Sequence, residues 1–516
     1  MAPGARAPAI ADVGPYERAV TRATLWSTGP GWHADTGTKG GRVADTTADR
    51  FEDHMTAPDA VMWDIEKDPV LRSTITAVAL FDREPDWERL VARVEDTSRR
   101  IRRLRERVVV PPLRVGPPRW VLDEQFDLSY HLRRVRVPSP GDLRAMLDLA
   151  EPLAMIGFDR ARPLWEFTLV EGLADGRAAM IQKMHHSLTD GVGAIELALL
   201  LLDRHREGDD RPPAPELPPA PPRSPVAMFA TAARQEALRW SARAARAPLA
   251  LGTAALDAAR DPAGRLRRTA ELARSLGRLL APIPEPGSPI MRGRSLSRRF
   301  DTLEVALADL KTAGHAAGGT LNDAFLAAAI GGLARYHRRH DAELAELHLT
   351  MPINLRGEGE KLGGNRFTPA RFSVPAGIED PLERMQAVGA IAHAWRHEPS
   401  LALTDPIAEV LDRLPVSVTT GLFGGMLKNV DMVCTNVPGL PDRAYLAGAE
   451  VVRQYAFAPP SGAALSVALL SHVDTACVGV VVDTAAVPDH EVLMTCLVEG
   501  FDEVLALSGH HATRTA

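Results

Sequence analysis

Two adjacent histidines, His185 and His186, are separated by three residues from Asp190-Gly191. Imidazole titrates near neutrality, so a histidine leaving a strand into a loop is suited to take a proton from an alcohol, amine or thiol. The preceding run Ala178 to Met184 (AAMIQKM) reads as a strand. Alternation then puts His186 on the face of Met180, Gln182 and Met184, and His185 on the opposite one. The two rings therefore have different tasks: one faces a cavity and the other braces the loop. Asp190 stands just ahead of Val192 to Leu202 (VGAIELALLLL), a buried-helix pattern, where Asp is first of all an N-cap. Gly191 supplies backbone freedom at that turn. Both are expected to hold the turn that carries His186.

Other chemistries lack their signals. Adjacent histidines splay their rings apart, unlike the i, i+4 pair of H-E-x-x-H, and no paired carboxylate–histidine motif of that kind appears elsewhere, so no metal is expected. There is no G-x-S-x-G elbow for a serine nucleophile. The glycine-rich stretches Gly314 to Gly319 and Gly357 to Gly364 do not match a phosphate-binding G-x-x-x-x-G-K-[ST] loop. Cys434, Cys477 and Cys496 form no C-x-x-C pair and lie in apolar stretches, which reads as buried free thiols.

The elements that must position the histidines are legible around them. Trp165 to Glu171 and Ala178 to Met184 are apolar runs joined across Asp175-Gly176, a hairpin signal. Thr74 to Phe81 (TITAVALF) reads as a further strand, Pro58 opens a short helix, and Trp87 to Arg105 is a charged amphipathic helix. Arg211 to Pro225 then holds eight prolines, an extended connector. Ala227 to Leu280 is Ala/Arg/Leu-rich with helical period. Beyond Ser295 the spacing predicts helices over 321–338 and 490–507. It predicts strands over 348–354, 368–374, 432–436, 465–470 and 476–482. Helices alternating with scattered strands indicate an α/β (α+β) chain. We divide it into a poorly ordered extension (1–55), a first domain carrying the histidines (56–205), a proline-rich linker with a helical insert (206–294), and a second domain (295–510).

Composition sets the outer bounds. The 516 residues are 45% apolar and 24% charged, which excludes a disordered or fibrous chain. The net charge of −6 offers no whole-chain attraction to nucleic acid. That average conceals a contrast: residues 227–280 hold ten Arg against Glu236, Asp257, Asp261 and Glu271, a charge of +6, so the remainder carries −12. No secretory h-region or membrane-length apolar run is present, so a cytoplasmic protein is expected. The basic insert has two readings: an interfacial helix at a membrane or lipid-body surface, or a helix pair packed on the protein's own domains.

The His185–Gly191 block resembles the HHxxxDG signature of the chloramphenicol-acetyltransferase-like, CoA-dependent acyltransferases. Asp159 to Glu166 (DRARPLWE), Thr320 to Ala327 (TLNDAFLA), Met351 to Arg356 with Gly364 to Phe367, and Thr435 to Gly439 (TNVPG) are similar to ordered blocks of the bacterial wax ester synthase/diacylglycerol acyltransferases. The resemblance spans about residues 57–508. It implies two chloramphenicol-acetyltransferase-like domains, each a mixed sheet with flanking helices, with an active-site channel between them. It implies His186 as the general base that activates an acceptor hydroxyl toward acyl-CoA, a substrate rather than a cofactor. His185 and Asp190 would hold the loop, and Asn322 and Asp323 would line or brace the site from the second domain. Leu71-Arg72, Ser466 and Ser471-His472 depart from the family's pattern at positions expected to line acceptor or acyl pockets.

The leading expectation is an O-acyltransferase that moves a long-chain acyl group from acyl-CoA to a long-chain alcohol or diacylglycerol. A condensation-type enzyme drawing on a carrier-protein thioester shares HHxxxDG. A non-catalytic lipid-surface protein is a third reading, suggested by the insert.

Overall fold

The computed structural model describes residues 53–188, 197–216, 281–354, 367–398 and 404–509, with isolated helical positions between 226 and 278. Two six-stranded mixed sheets organise the described chain. The first is built on β1 (Thr74–Phe81), β4 (Leu132–Arg136), β5 (Trp165–Glu171) and β6 (Ala178–His185), to which β11 (Tyr445–Leu446) and β12 (Ala449–Phe457) are added in the order β11-β12-β1-β6-β5-β4. The second runs β7-β14-β13-β10-β8-β9, from β7 (Arg298–Ala306), β8 (Glu346–Asn354), β9 (Phe367–Pro375), β10 (Met432–Leu440), β13 (Leu465–His472) and β14 (Thr475–Asp483). A small ribbon of β2 (Glu106–Val109) and β3 (Arg119–Leu122) flanks the first sheet.

The β5–β6 hairpin turns at Asp175 and Gly176, with φ of 60° and 70°. Two successive positive φ values match the right-handed twist of the flanking strands, which is why Asp-Gly occupies the turn. The helix Ala57–Ile65 begins where the Thr56 hydroxyl accepts the Asp59 N–H, with Pro58 in its first turn. On the outer face of the second sheet, the helices Leu321–Arg339 and His490–Leu505 approach so closely that a Cβ at Gly500 would lie 2.4 Å from the Ala328 carbonyl oxygen.

The domain boundaries need one correction. β11 and β12 come from the segment assigned to the second domain, yet β12 pairs antiparallel with β1 along Thr76–Phe81 and completes the first sheet. β1 exposes a backbone edge that β6 covers on one side only, and β12 satisfies the other. The two sheets then pack through Val78, Ile181, Tyr455, Phe457, Phe300 and Val481, and the Phe300 and Phe457 rings stack with centroids 4.3 Å apart. The end of the N-terminal extension is also built in: Met55 is buried and its N–H donates to the Pro118 carbonyl. Residues 1–52 and most of the 227–280 insert lie outside the described residues.

Candidate active site

β6 ends at the two histidines. His185 is in register with Thr74 of β1, and the His186 N–H donates to the Ser73 carbonyl at 2.9 Å. A tight turn follows, in which the Leu188 N–H donates to the His185 carbonyl at 3.0 Å. The His185 ring is held from both sides. Its Nδ1 accepts the Ser187 N–H at 3.0 Å and lies 2.7 Å from the Ser187 hydroxyl. The proton therefore resides on Nε2, which faces Glu66 Oε1 at 3.0 Å. Trp63 and Phe158 present ring edges to the imidazole.

Glu66 is the residue that sequence reasoning missed. It follows the helix Ala57–Ile65, and its Oε1 also accepts the Ser73 N–H at 2.8 Å. One carboxylate oxygen thus faces His185 and holds the residue whose carbonyl anchors His186. Burial pushes the Glu66 carboxyl up, but the His185 ring, the Ser73 N–H and the Arg160 charge together hold it below the ordinary value. The only local signal was an acidic residue at a helix end, which on its own reads as a solvated charge.

Access separates the roles of the two histidines. His185 is 1% exposed, whereas His186 is half-buried at the turn. A ring enclosed by Glu66, Ser187, Trp63 and Phe158 cannot meet a substrate, so His185 is a brace. Asp190 and Gly191 lie outside the described residues.

Asn322 and Asp323 are placed elsewhere. Both belong to the first turn of Leu321–Arg339, where Asp323 closes a capping box with Thr320: its carboxylate accepts the Thr320 N–H at 2.8 Å. The Asn322 amide contacts the sulfur of Met351 at 3.8 Å. Asp323 thus caps its helix and Asn322 packs on Met351; neither of these contacts is to the histidines. Trp165 is fully buried; its indole N–H donates to the Leu104 carbonyl at 2.7 Å, and His131 stacks on it. The three cysteines are buried free thiols, and burial pushes Cys477 up to about 12. Among the described residues no group of three or more His, Cys, Asp or Glu is placed to hold a metal ion.

Two openings flank the lead-in to β1. A cavity of about 900 Å³ lies between Lys67–Pro69 and the helix Val416–Leu427, with Lys428 at its rim. A slot of about 60 Å³ runs between the sheets past Pro69, Arg72, Thr74 and Thr76. Arg72, one of the departures from the family pattern, lines this slot and donates to the Met155 carbonyl at 2.6 Å.

Residues 48–325 match the wax ester synthase/diacylglycerol acyltransferase catalytic domain, and residues 363–504 match the C-terminal domain of the same family. A Mycobacterium tuberculosis protein assigned as a diacylglycerol O-acyltransferase is 40% identical over 476 residues, covering 90% of this chain and 94% of its own. A second protein of that organism with the same assignment is 30% identical over 448 residues, covering 83% and 92%. Among solved structures, the wax ester synthase/diacylglycerol acyltransferase of Marinobacter aquaeolei superposes with a TM-score of 0.58 at 22% identity, over 89% of this chain and all of that one. The first condensation domain of the calcium-dependent antibiotic synthetase reaches 0.57 at 16% identity, over 89% and 97%, a likeness of fold. The matched domains and the closeness of the mycobacterial relatives place this chain in the wax ester synthase/diacylglycerol acyltransferase family, the acyl-CoA-dependent O-acyltransferases that form wax esters or triacylglycerol.

Proposed function

We propose that His186 is the general base for transfer of a long-chain acyl group from acyl-CoA to the hydroxyl of a long-chain alcohol or diacylglycerol. One observation carries this reading: of the two adjacent rings, His185 is sealed in a network with Glu66 and Ser187, while His186 stays half-buried at the turn. His186 accepts the acceptor's hydroxyl proton as that oxygen attacks the thioester carbonyl. The C–S bond then breaks, and the imidazolium returns the proton to the departing CoA thiolate. A base of this kind contributes roughly 10²–10⁴-fold. The buried thiols, all with raised pKa, are unsuited to act as a covalent relay.

We further infer that the reaction takes place at a lipid surface. No helix among the described residues is long and apolar enough to cross a membrane. Support comes from four exposed apolar side chains, Val410 on the helix Thr404–Leu411, Leu414 in the turn after it, and Val418 and Leu422 on the helix Val416–Leu427. Val418 and Leu422 lie on the helix Val416–Leu427, which also lines the cavity with Lys67 and Lys428, and the Arg-rich insert adds positive charge that suits anionic lipid.

The deciding experiment incubates the purified protein with a panel of acyl-CoAs, long-chain alcohols and diacylglycerol, and identifies products by mass spectrometry. Wax ester or triacylglycerol with stoichiometric CoA release is expected. Turnover only with a carrier-protein thioester would shift the reading to condensation chemistry, and no turnover with any donor would favour a non-catalytic lipid-surface protein.

A further inference from the structure

Lys183 stands two residues before His185 on β6 and is 3% exposed. A buried ammonium has three N–H donors that have lost their hydration and need acceptors. Among the described residues Lys183 has one hydrogen-bond acceptor, Glu166 Oε1, at a long 3.5 Å. Its other contact is with the face of Phe158, where Nζ lies 4.4 Å from the ring centroid. Burial outweighs the attraction of Glu166 and lowers the Lys183 pKa.

Lys183 lines a cavity of about 650 Å³ beside the end of the helix Leu143–Met155. Arg133 and Arg162 share its wall with Glu166, Asp127 and Asp159. The formal charges cancel, but the hydrogen-bonding capacity does not. Asp127 Oδ1 accepts the N–H and the hydroxyl of Ser129, at 2.9 and 2.7 Å. Asp159 accepts the Ala161 N–H at 2.9 Å and faces Arg162 Nε at 3.6 Å. Glu166 is shared between Lys183 and Arg133. The acids are thus committed, whereas each guanidinium carries five N–H donors and the ammonium three. Such a surplus of charged donors suits a group that only accepts, an oxyanion. Leu153 and Ile156 add an apolar side to the wall, and Ile156 is 58% exposed. The volume exceeds what a lone oxyanion fills and lies within the roughly 300–1,000 Å³ of small-molecule sites.

We propose that this cavity binds the anionic head of a single-chain amphiphile, a carboxylate or a phosphate monoester, paired with Lys183, Arg133 and Arg162. The alkyl chain lies along Leu153 and Ile156. No bond is made or broken here, and the site is distinct from the one that transfers the acyl group. Phe158 touches both, since it also meets the His185 ring in a T-shaped contact with centroids 6.1 Å apart.

The test titrates the full-length protein calorimetrically with octyl phosphate, octanoate, inorganic phosphate and octanol. At least one amphiphilic anion is expected to bind, and the one that binds more tightly identifies the head group. Lys183→Met should weaken that anion about 10–100-fold, the loss of a charge-assisted hydrogen bond, and leave octanol unchanged. Glu166→Gln removes the acid beside Lys183 and should tighten the anion several-fold. Tightening cannot arise from misfolding, so this variant separates an anion site from a structural lysine. Anion binding unaffected by either variant, or lost equally with octanol, overturns the proposal. So does inorganic phosphate binding as tightly as octyl phosphate, or a wild type that binds neither amphiphile.

Discussion

Removing the Glu66 carboxylate should disable the turn that carries His186 without touching substrate binding. Oε1 accepts the Ser73 N–H at 2.8 Å and faces His185 Nε2 at 3.0 Å, and Ser73 and His185 are both buried. Glu66→Ala leaves the buried Ser73 N–H unpaired, at about 1–3 kcal/mol of stability, and removes the carboxylate that faces His185. Glu66→Gln keeps an oxygen for the Ser73 N–H and loses charge assistance, about 1 kcal/mol. The Ser73 carbonyl anchors the His186 backbone, so a displacement on the order of 1 Å should cost kcat about 10²-fold in the alanine variant. The glutamine variant should be intermediate. KM for acyl-CoA should change little in either, because Glu66 acts through the histidines. Steady-state CoA release measures both constants, and thermal denaturation followed by circular dichroism shows that the fold persists. Full kcat in Glu66→Ala, or a loss expressed mainly in KM, would refute this reasoning. The wild-type network also has an acid limit. The Glu66 pKa is lowered from 4.5 in the folded protein, so its contribution is complete above that value and is lost as pH falls through the lowered one.

Three further outcomes follow from the same structure. Burial lowers the pKa of His131, His337 and His472, so the unfolded chain gains protons below pH 6.5 that the folded protein refuses. Stability should therefore fall as pH drops from 6.5, by up to about 4 kcal/mol per pH unit for three such groups, and denaturant titrations at pH 7 and pH 5.5 check this. Asp431 accepts the N–H groups of Gly287, Ser288 and His348 at 2.9, 3.0 and 2.8 Å. Asp431→Ala should lower stability by at least about 3 kcal/mol, measured by denaturant unfolding. Replacing Val410, Leu414, Val418 and Leu422 together by serine should reduce co-flotation with anionic liposomes; undiminished flotation would remove that surface from the account.

What the sequence made legible follows the range of the interactions involved. β1, the β5–β6 hairpin, β13, β14 and the helix Leu321–Arg339 obey local rules, namely apolar alternation, an Asp-Gly turn and a long apolar helical run. β12 is a recognisable strand only once its partner is known. Its pairing with β1 joins residues such as Val78 and Tyr455 across most of the chain, and no local period encodes that. The His185-His186 turn was legible as chemistry, but Glu66 was not, since a single acidic residue at a helix end acquires meaning only when folding brings it to His185. Thr320-x-x-Asp323 is a capping signature readable from local spacing, and the structure forms that capping box.

The central claim, that His186 deprotonates the acceptor, is tested most directly by single-turnover acyl transfer in His186→Ala and His186→Gln, with acyl-CoA binding measured separately. The account predicts that both variants bind acyl-CoA as the wild type does and lose about 10²–10⁴-fold in transfer rate. Transfer within a few-fold of the wild-type rate in folded His186→Ala would contradict it.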